Sequence, residues 1–156
     1  MSKLVSKAAC VLIQNNHLYL GVSRKNNKND WGLPGGKSEG EETLKSTAVR
    51  ELFEETGLII SEDNLTEIFS RQDEEFNVVT YCLNIPFSNL NQEPKQCEDG
   101  LVNWVTQEDL IDGTFGIYNK LLFEKIYKQR LHNMKSKFGE DYVNKQISEY
   151  RIVYED

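Results

Sequence analysis

Three glutamates, Glu51, Glu54 and Glu55, stand at i, i+3 and i+4 in a stretch whose apolar residues recur at helical spacing. On a helical wheel they lie at about 0°, 300° and 40°, so all three project from one quadrant. Like charges so placed weaken a helix by roughly a few tenths of a kcal/mol per pair unless a cation joins them. Arg50, four residues before Glu54, can relieve part of that repulsion. The plain alternative is a solvated acidic face. Two features argue against it: the quadrant borders the apolar side of the helix, and Pro34-Gly35-Gly36 just upstream can fold a bare backbone carbonyl onto the same place. Carboxylates clustered with a carbonyl make an all-oxygen site suited to Mg2+ or Mn2+. These hard cations keep waters and take substrate phosphates as their remaining ligands.

The wider spacing is specific. Gly36 is followed after five residues by Glu42, and after seven more by Arg50-Glu51-Leu52-Phe53-Glu54-Glu55-Thr56-Gly57-Leu58. This resembles the signature of the Nudix hydrolases, G-x5-E-x7-R-E-U-x-E-E-x-G-U, at every specified position. With common residues at about 7% each, a chance match is on the order of 10⁻⁸ per start position. The resemblance implies an enzyme that cleaves a phosphoanhydride in a nucleoside diphosphate linked to another group X. It implies that Glu51, Glu54 and Glu55 hold the metal, helped by the Gly35 carbonyl, and that Arg50 positions the carboxylates. Glu42 steadies the junction of loop and helix, and Gly36 and Gly57 serve the turn and the helix cap. The proton of the attacking water goes to Glu51 or to a glutamate of a later loop, where Glu98 is the candidate and Glu93 its rival. A metal lowers the pKa of its bound water, so a carboxylate of modest strength suffices as the base.

Substrate choice lies outside that signature. ADP-ribose hydrolases of the family carry a proline shortly past it, where this chain has Asp73-Glu74-Glu75; Tyr81 falls too late to mark a dinucleoside polyphosphate hydrolase. The coenzyme A hydrolase motif is not visible. Trp31-Gly-Leu-Pro-Gly-Gly-Lys37 and Phe115-Gly-Ile-Tyr-Asn119 resemble segments of MutT-like enzymes, the second one with which they bind a purine edge. An Asn side chain offers a donor and an acceptor together, which suits Asn119 to reading a base. Arg24 and Lys37 are candidates for phosphate or base contacts, and Phe76 or Tyr81 for stacking. The resulting expectation is hydrolysis of a nucleoside triphosphate, oxidised or non-standard ones included, to monophosphate and pyrophosphate. The alternatives are an enzyme for ADP-ribose or dinucleoside polyphosphates and a non-catalytic nucleotide-binding module, which would have no need of the glutamate set.

The elements that must carry these residues follow from periodicity. Val5–Gln14 and Leu18–Arg24 read as a hairpin turning at Asn15-Asn16-His17, and Arg24–Asp30 as a polar loop. Glu41–Thr56 reads as a helix with a Ser38/Glu41 capping box, acidic residues in its first turn and a Gly57 cap. Its apolar side comprises Leu44, Ala48, Val49, Leu52 and Phe53. Strands are expected at 65–71, 76–85 and 101–105, a helical turn at 107–111, and a helix from Phe115 to about Asn133. A further helix and a strand-like run from Tyr150 to Tyr154 would follow. This order gives an α/β fold, a Nudix-type α/β/α sandwich with a mixed β-sheet, as one domain over residues 1–156. The extension from about residue 134 has three readings: a cover over the base pocket, a homodimer contact, or added helix.

The net charge of −7 excludes a module that binds nucleic-acid polymers through a broad basic face. Charge is uneven: +5 over residues 1–38, −4 over 39–57, −10 over 58–117 and +2 over 118–156. Cys10, Cys82 and Cys97 lack the number and spacing of a disulfide framework or a zinc site. The longest early apolar run, Ala8–Ile13, is too short to span a membrane. A soluble cytoplasmic protein with a nucleotide substrate is the expectation.

Overall fold

The computed structural model describes residues 6–24, 27–96 and 100–150, without the side chains of residues 24, 27, 28 and 147–150. Alternation in β1 (Ser6–Leu12) sends Ala9 and Val11 into the core, each at most 1% exposed, and leaves Ala8 and Cys10 on the opposite face. β1 lies inside a four-stranded sheet of order β5-β1-β7-β6, where β5 is Gly35–Lys37, β6 is Leu65–Gln72 and β7 is Phe76–Leu83. It runs parallel to β7 and antiparallel to β5, so this sheet is mixed, as expected. The second sheet is built on β3 (Leu18–Arg24). β3 pairs with β2 (Gln14–Asn15) and β4 (Asn27–Gly32), and also with β8 (Gly100–Val105).

Two strand expectations are corrected here. The hairpin at Asn16, which takes a left-handed φ of 58°, pairs Gln14–Asn15 with Leu18–Tyr19 and ends with the Leu20 N–H on the Ile13 carbonyl. The body of β1 is claimed on both sides by β5 and β7, so it cannot also pair with β3. The polar stretch before Trp31 is not all loop: β4 forms because β3 offers it backbone partners from Val22 to Arg24, whatever its side chains prefer.

Helix α1 (Leu44–Thr56) fills the core with Ala48 and Leu52 against Ala9, Val11, Ile13, Leu20, Val79 and Tyr81, side chains drawn from both sheets. Its N-cap is Thr43, whose hydroxyl accepts from the Ser46 N–H at 3.1 Å. The expected Ser38/Glu41 box does not form. Ser38 bonds the Thr47 hydroxyl instead at 2.8 Å, and the helical part of the first turn holds no acidic residue. Gly57 is the expected C-cap, at φ 75°, with its N–H on the Phe53 carbonyl. Phe53 is half exposed at 52%, because the threonines at 47 and 56 take the buried positions at the margins of the apolar stripe.

The chain forms two compact units, one ending at Tyr118 and one beginning at Asn119. In the first, α2 (Gln107–Ile111) is closed by a Thr106/Asp109 capping box. Helix α3 spans Gly116–Phe138, longer than expected. α4 (Glu140–Tyr150) starts after Gly139 at φ 91°, so Tyr150 is helical and the rest of the anticipated run lies outside the described residues. Among the described residues no helix is long and apolar enough to cross a membrane.

The cap assignment is open to measurement. Thr43→Ala should lower stability by about 1 kcal/mol in urea unfolding, whereas Glu41→Gln should change it by no more than about 0.5 kcal/mol.

Candidate active site

Arg50, on the second turn of α1, commits all five of its N–H donors. Nε donates to Glu42 Oε2 at 2.7 Å and Nη2 to Glu42 Oε1 at 2.9 Å, a bidentate clamp. Nη2 also donates to the Lys37 carbonyl at 3.0 Å. Nη1 is shared by Glu51 Oε1 at 3.0 Å and Glu54 Oε2 at 3.2 Å. Glu39 stands a little further out, at 3.8 Å from Nη1. One cation thus gathers acids from the helix and from the turn before it.

Glu42 accepts in addition from the Glu39 N–H at 2.8 Å and from the Thr47 hydroxyl at 3.2 Å. These bonds, the Arg50 ones first, hold its carboxyl down at about 2. Glu51 is in the opposite case. Its side chain is 17% exposed, and burial pushes its pKa up against the opposing pull of Arg50, with Glu54 and Glu39 adding repulsion.

The strand beside the helix is shaped to admit these groups. A Cβ on Gly36 would lie 2.5 Å from Glu51 Oε1 and 2.6 Å from its carboxyl carbon, so glycine is what lets the carboxylate lie against β5. Gly35 donates its N–H to Glu55 Oε1 at 2.7 Å. A Cβ there would strike the Ala9 carbonyl and approach the Cys10 Cβ to 2.6 Å. The backbone of both glycines lies against the glutamates, Gly35 through its N–H and not through the carbonyl expected to join them.

The donor set fits a hard divalent cation. Four carboxylates, Glu39, Glu42, Glu51 and Glu54, share one guanidinium, and Glu55 is anchored alongside by Gly35. Each carboxylate has two acceptor oxygens, and Arg50 engages one of Glu51 and one of Glu54, so the ion pairs are compatible with metal ligation. Among the described residues, no three acidic, His or Cys side chains are drawn together into a formed cage.

The other sequence candidates fall in several places. The Lys37 carbonyl belongs to the Arg50 network, and its Nζ lies 5.4 Å from the centre of the Phe76 ring, so these two candidates are neighbours. Tyr81 is a core residue, 5% exposed, which removes it as a stacking partner. Glu93 is exposed. Arg24 ends β3 with its side chain outside the described atoms, and Glu98 lies outside the described residues altogether. Asn119 is buried at 2% and opens the second unit. The sequence reading missed Thr47, Glu39 and the hydroxyl chain of Thr80 and Tyr118. Of these, only Thr47 carried a local signal, standing three residues before Arg50 on the same helix.

The NUDIX domain family matches this chain over residues 4–125. Human Nucleoside diphosphate-linked moiety X motif 6 is 47% identical over 58 residues, which are 36% of this chain and 18% of the relative. The ADP-ribose pyrophosphatase of Methanocaldococcus jannaschii is 39% identical over 66 residues, 41% of this chain and 39% of the relative. The chain thus spans less than half the length of either. Among solved structures, a MutT from work on Aliivibrio salmonicida and Vibrio cholerae superposes with a TM-score of 0.63 at 21% identity, covering 80% of this chain and 99% of that one. At that identity the likeness shows the fold, the Nudix α/β/α arrangement with its mixed sheet.

Glu42 yields a pH prediction. Its folded pKa of about 2 lies below the usual glutamate value, about 4.3 in the unfolded chain. Its contribution is therefore complete above the unfolded value and is lost as pH falls toward the folded one. Thermal melts of Glu42→Gln should show lower stability at neutral pH and a shallower loss across that acid window. Gly36→Ala should keep the fold by circular dichroism and lower turnover on the order of 10²-fold through the displaced Glu51 carboxylate.

Proposed function

The chain belongs to the Nudix family, and on that premise we propose that it hydrolyses a nucleoside triphosphate to nucleoside monophosphate and pyrophosphate, oxidised or non-standard nucleotides being the favoured substrates. The observation that supports hydrolysis is the Arg50 network, which holds Glu51 and Glu54 half-buried on one side of α1 beside the glycine strand; the choice of a triphosphate rests on the likeness of Trp31–Lys37 and Phe115–Asn119 to MutT-like segments. A binding-only module has no use for a carboxylate kept in so costly a place.

Glu51, Glu54 and Glu55, with the Gly35 carbonyl, would hold Mg2+ or Mn2+. When bound, the metal supplies charge neutralisation to the phosphates and acidifies a water. The chain's own groups do the rest. Arg50 fixes the rotamers of Glu51 and Glu54 and keeps its charge at every working pH. Glu42 pins Arg50. A water oxygen bonds to phosphorus, the anhydride P–O bond breaks with its electron pair going to the pyrophosphate, and the water's proton passes to a carboxylate. Glu51, lying against the glycine strand, is one candidate for that last role. Glu98 is the other candidate base, and Arg24, Lys37, Phe76 and Asn119 are the proposed substrate contacts.

A second reading has its own support. The archaeal relative is named for ADP-ribose, and hydrolysis of a nucleoside diphosphate-X compound would use the same carboxylates. Incubation with a broad nucleotide panel and Mg2+ or Mn2+ decides between them. Monophosphate with pyrophosphate from a triphosphate supports the first reading, and two phosphorylated halves from ADP-ribose or a dinucleoside polyphosphate the second. No turnover of any member would leave the binding module. Glu54→Gln should lower kcat on the order of 10²-fold; activity within a few-fold of wild type would remove Glu54 from the site.

A further inference from the structure

The turn between α3 and α4 presents an apolar surface to the outside. Gly139, at φ 91°, ends α3 with its N–H on the Lys135 carbonyl at 2.9 Å, and the Val143 N–H reaches the Gly139 carbonyl at 3.3 Å to begin α4. Val143 is fully buried, so its side chain holds the start of α4 in place as well. A Cβ built on Gly139 would meet nothing within 4 Å among the described residues, so the turn faces open space on that side.

Two large aromatic side chains stand on this corner. Phe138, the last residue of α3, is 52% exposed, and Tyr142, in the first turn of α4, is 49% exposed. Their ring centres lie 5.4 Å apart at 42°, so they form a single apolar patch. A lone exposed apolar residue needs no partner. Two rings that meet on a fixed turn are the anchors found at the centre of protein interfaces.

Charge around the patch divides by side. Lys135 and Lys137 close α3, and Glu140 and Asp141 open α4. Lys137 Nζ lies 5.3 Å from the centre of the Phe138 ring. Each sign suits the dipole of its own helix, which accounts for the charges taken singly. With the rings between them, cations before and acids after make the patch complementary to itself. A two-fold axis through the rings would bring the lysines of one copy to the acids of the other, and the reverse. An anionic lipid surface would meet the lysines favourably and the acids unfavourably, whereas a second copy satisfies both.

We propose that a second copy of the chain docks on this corner, forming a symmetric dimer with Phe138 and Tyr142 at its centre and Lys135, Lys137, Glu140 and Asp141 at its rim. Neither the glutamates of α1 nor any proposed substrate contact lies in this stretch. The interface is small. With half of each ring exposed, the aromatics offer roughly 200 Å² per copy, against about 800 Å² per partner in a standard interface. The dimer is therefore weak, forming at high protein concentration and dissociating readily.

The test uses the full chain. Sedimentation should show a monomer–dimer equilibrium as the concentration is raised toward about 1 mM, where weak specific association is still measurable. Phe138→Ser combined with Tyr142→Ser should raise the dissociation constant on the order of tenfold or more. One variant carries Lys135→Glu and Lys137→Glu, another Glu140→Lys and Asp141→Lys. Each should be monomeric alone, and the two should pair when mixed. Should these variants lose helix by circular dichroism, dilution of wild type followed by NMR supplies the readout: the amide resonances of residues 137–143 should shift, and those of β1 and β7 should not. A wild type that stays monomeric throughout overturns the proposal. So does a dimer indifferent to the aromatic variant, or dilution shifts confined to other elements. Binding of the monomer to phosphatidylserine vesicles in place of pairing would give the corner to a lipid surface and overturn it too.

Discussion

The guanidinium of Arg50 is the constraint on which the rest of the site depends. Its five donors join three parts of the chain at one point: the turn at Glu39–Glu42, the end of β5 through the Lys37 carbonyl, and the α1 carboxylates. A lysine there would present three donors from a point and would lose the planar clamp on Glu42. The network also settles which carboxylate is strained. Glu42, with the best hydrogen bonds, is held ionised far into acid, while Glu51, more buried and sharing one nitrogen with Glu54, is pushed toward its neutral form. Two glutamates linked to one arginine thus have opposite tendencies, and the one nearer the glycine strand is the one whose charge is costly.

That cost is tolerable only because β5 carries no side chain where the carboxylates lie. Gly36 leaves room for Glu51, and Gly35 turns an N–H toward Glu55 while packing against β1. The same strand β1 pairs with β5 on one side and β7 on the other, so the carboxylate anchor and the hydroxyl chain of Thr80 and Tyr118 are referred to a single strand. A slip of one residue between β1 and β7 would turn Thr80 into the core and Val79 out of it, which burial forbids. Hydrophobic register is therefore also the register of the polar groups.

The glutamate quadrant, the Arg50 pairing and the Gly57 cap were legible in the chain because a helix fixes neighbours at i+3 and i+4 by local geometry alone. The strands at 65–72 and 76–83 were legible for a similar reason, a dense run of β-branched and aromatic residues around a polar turn. What was not legible depended on distant partners. β4 is a strand because β3 has an edge to fill, not because Asn27–Asp30 favours one. Thr43 rather than Ser38 caps α1 because Ser38 is drawn to Thr47 and its backbone N–H to the Lys7 carbonyl. The chain Cys10–Thr80–Tyr118 joins residues 70 and 38 positions apart, and no periodicity reports such a contact.

Charge gives the last link between these levels. A chain of net −7 should repel a polyphosphate, and the α1 region is its most densely acidic site. The repulsion is local, however, and so is its remedy. Arg50 cancels one charge of the Glu39, Glu42, Glu51 and Glu54 cluster, and the proposed divalent cation would offset the remainder. Lys37 and Arg71 stand one rung further along the sheet, with the acidic turn Asp73-Glu74-Glu75 closing the β6–β7 hairpin beside them. The acidity that looked hostile to phosphate is thus concentrated where, on the proposed reading, a divalent cation would sit.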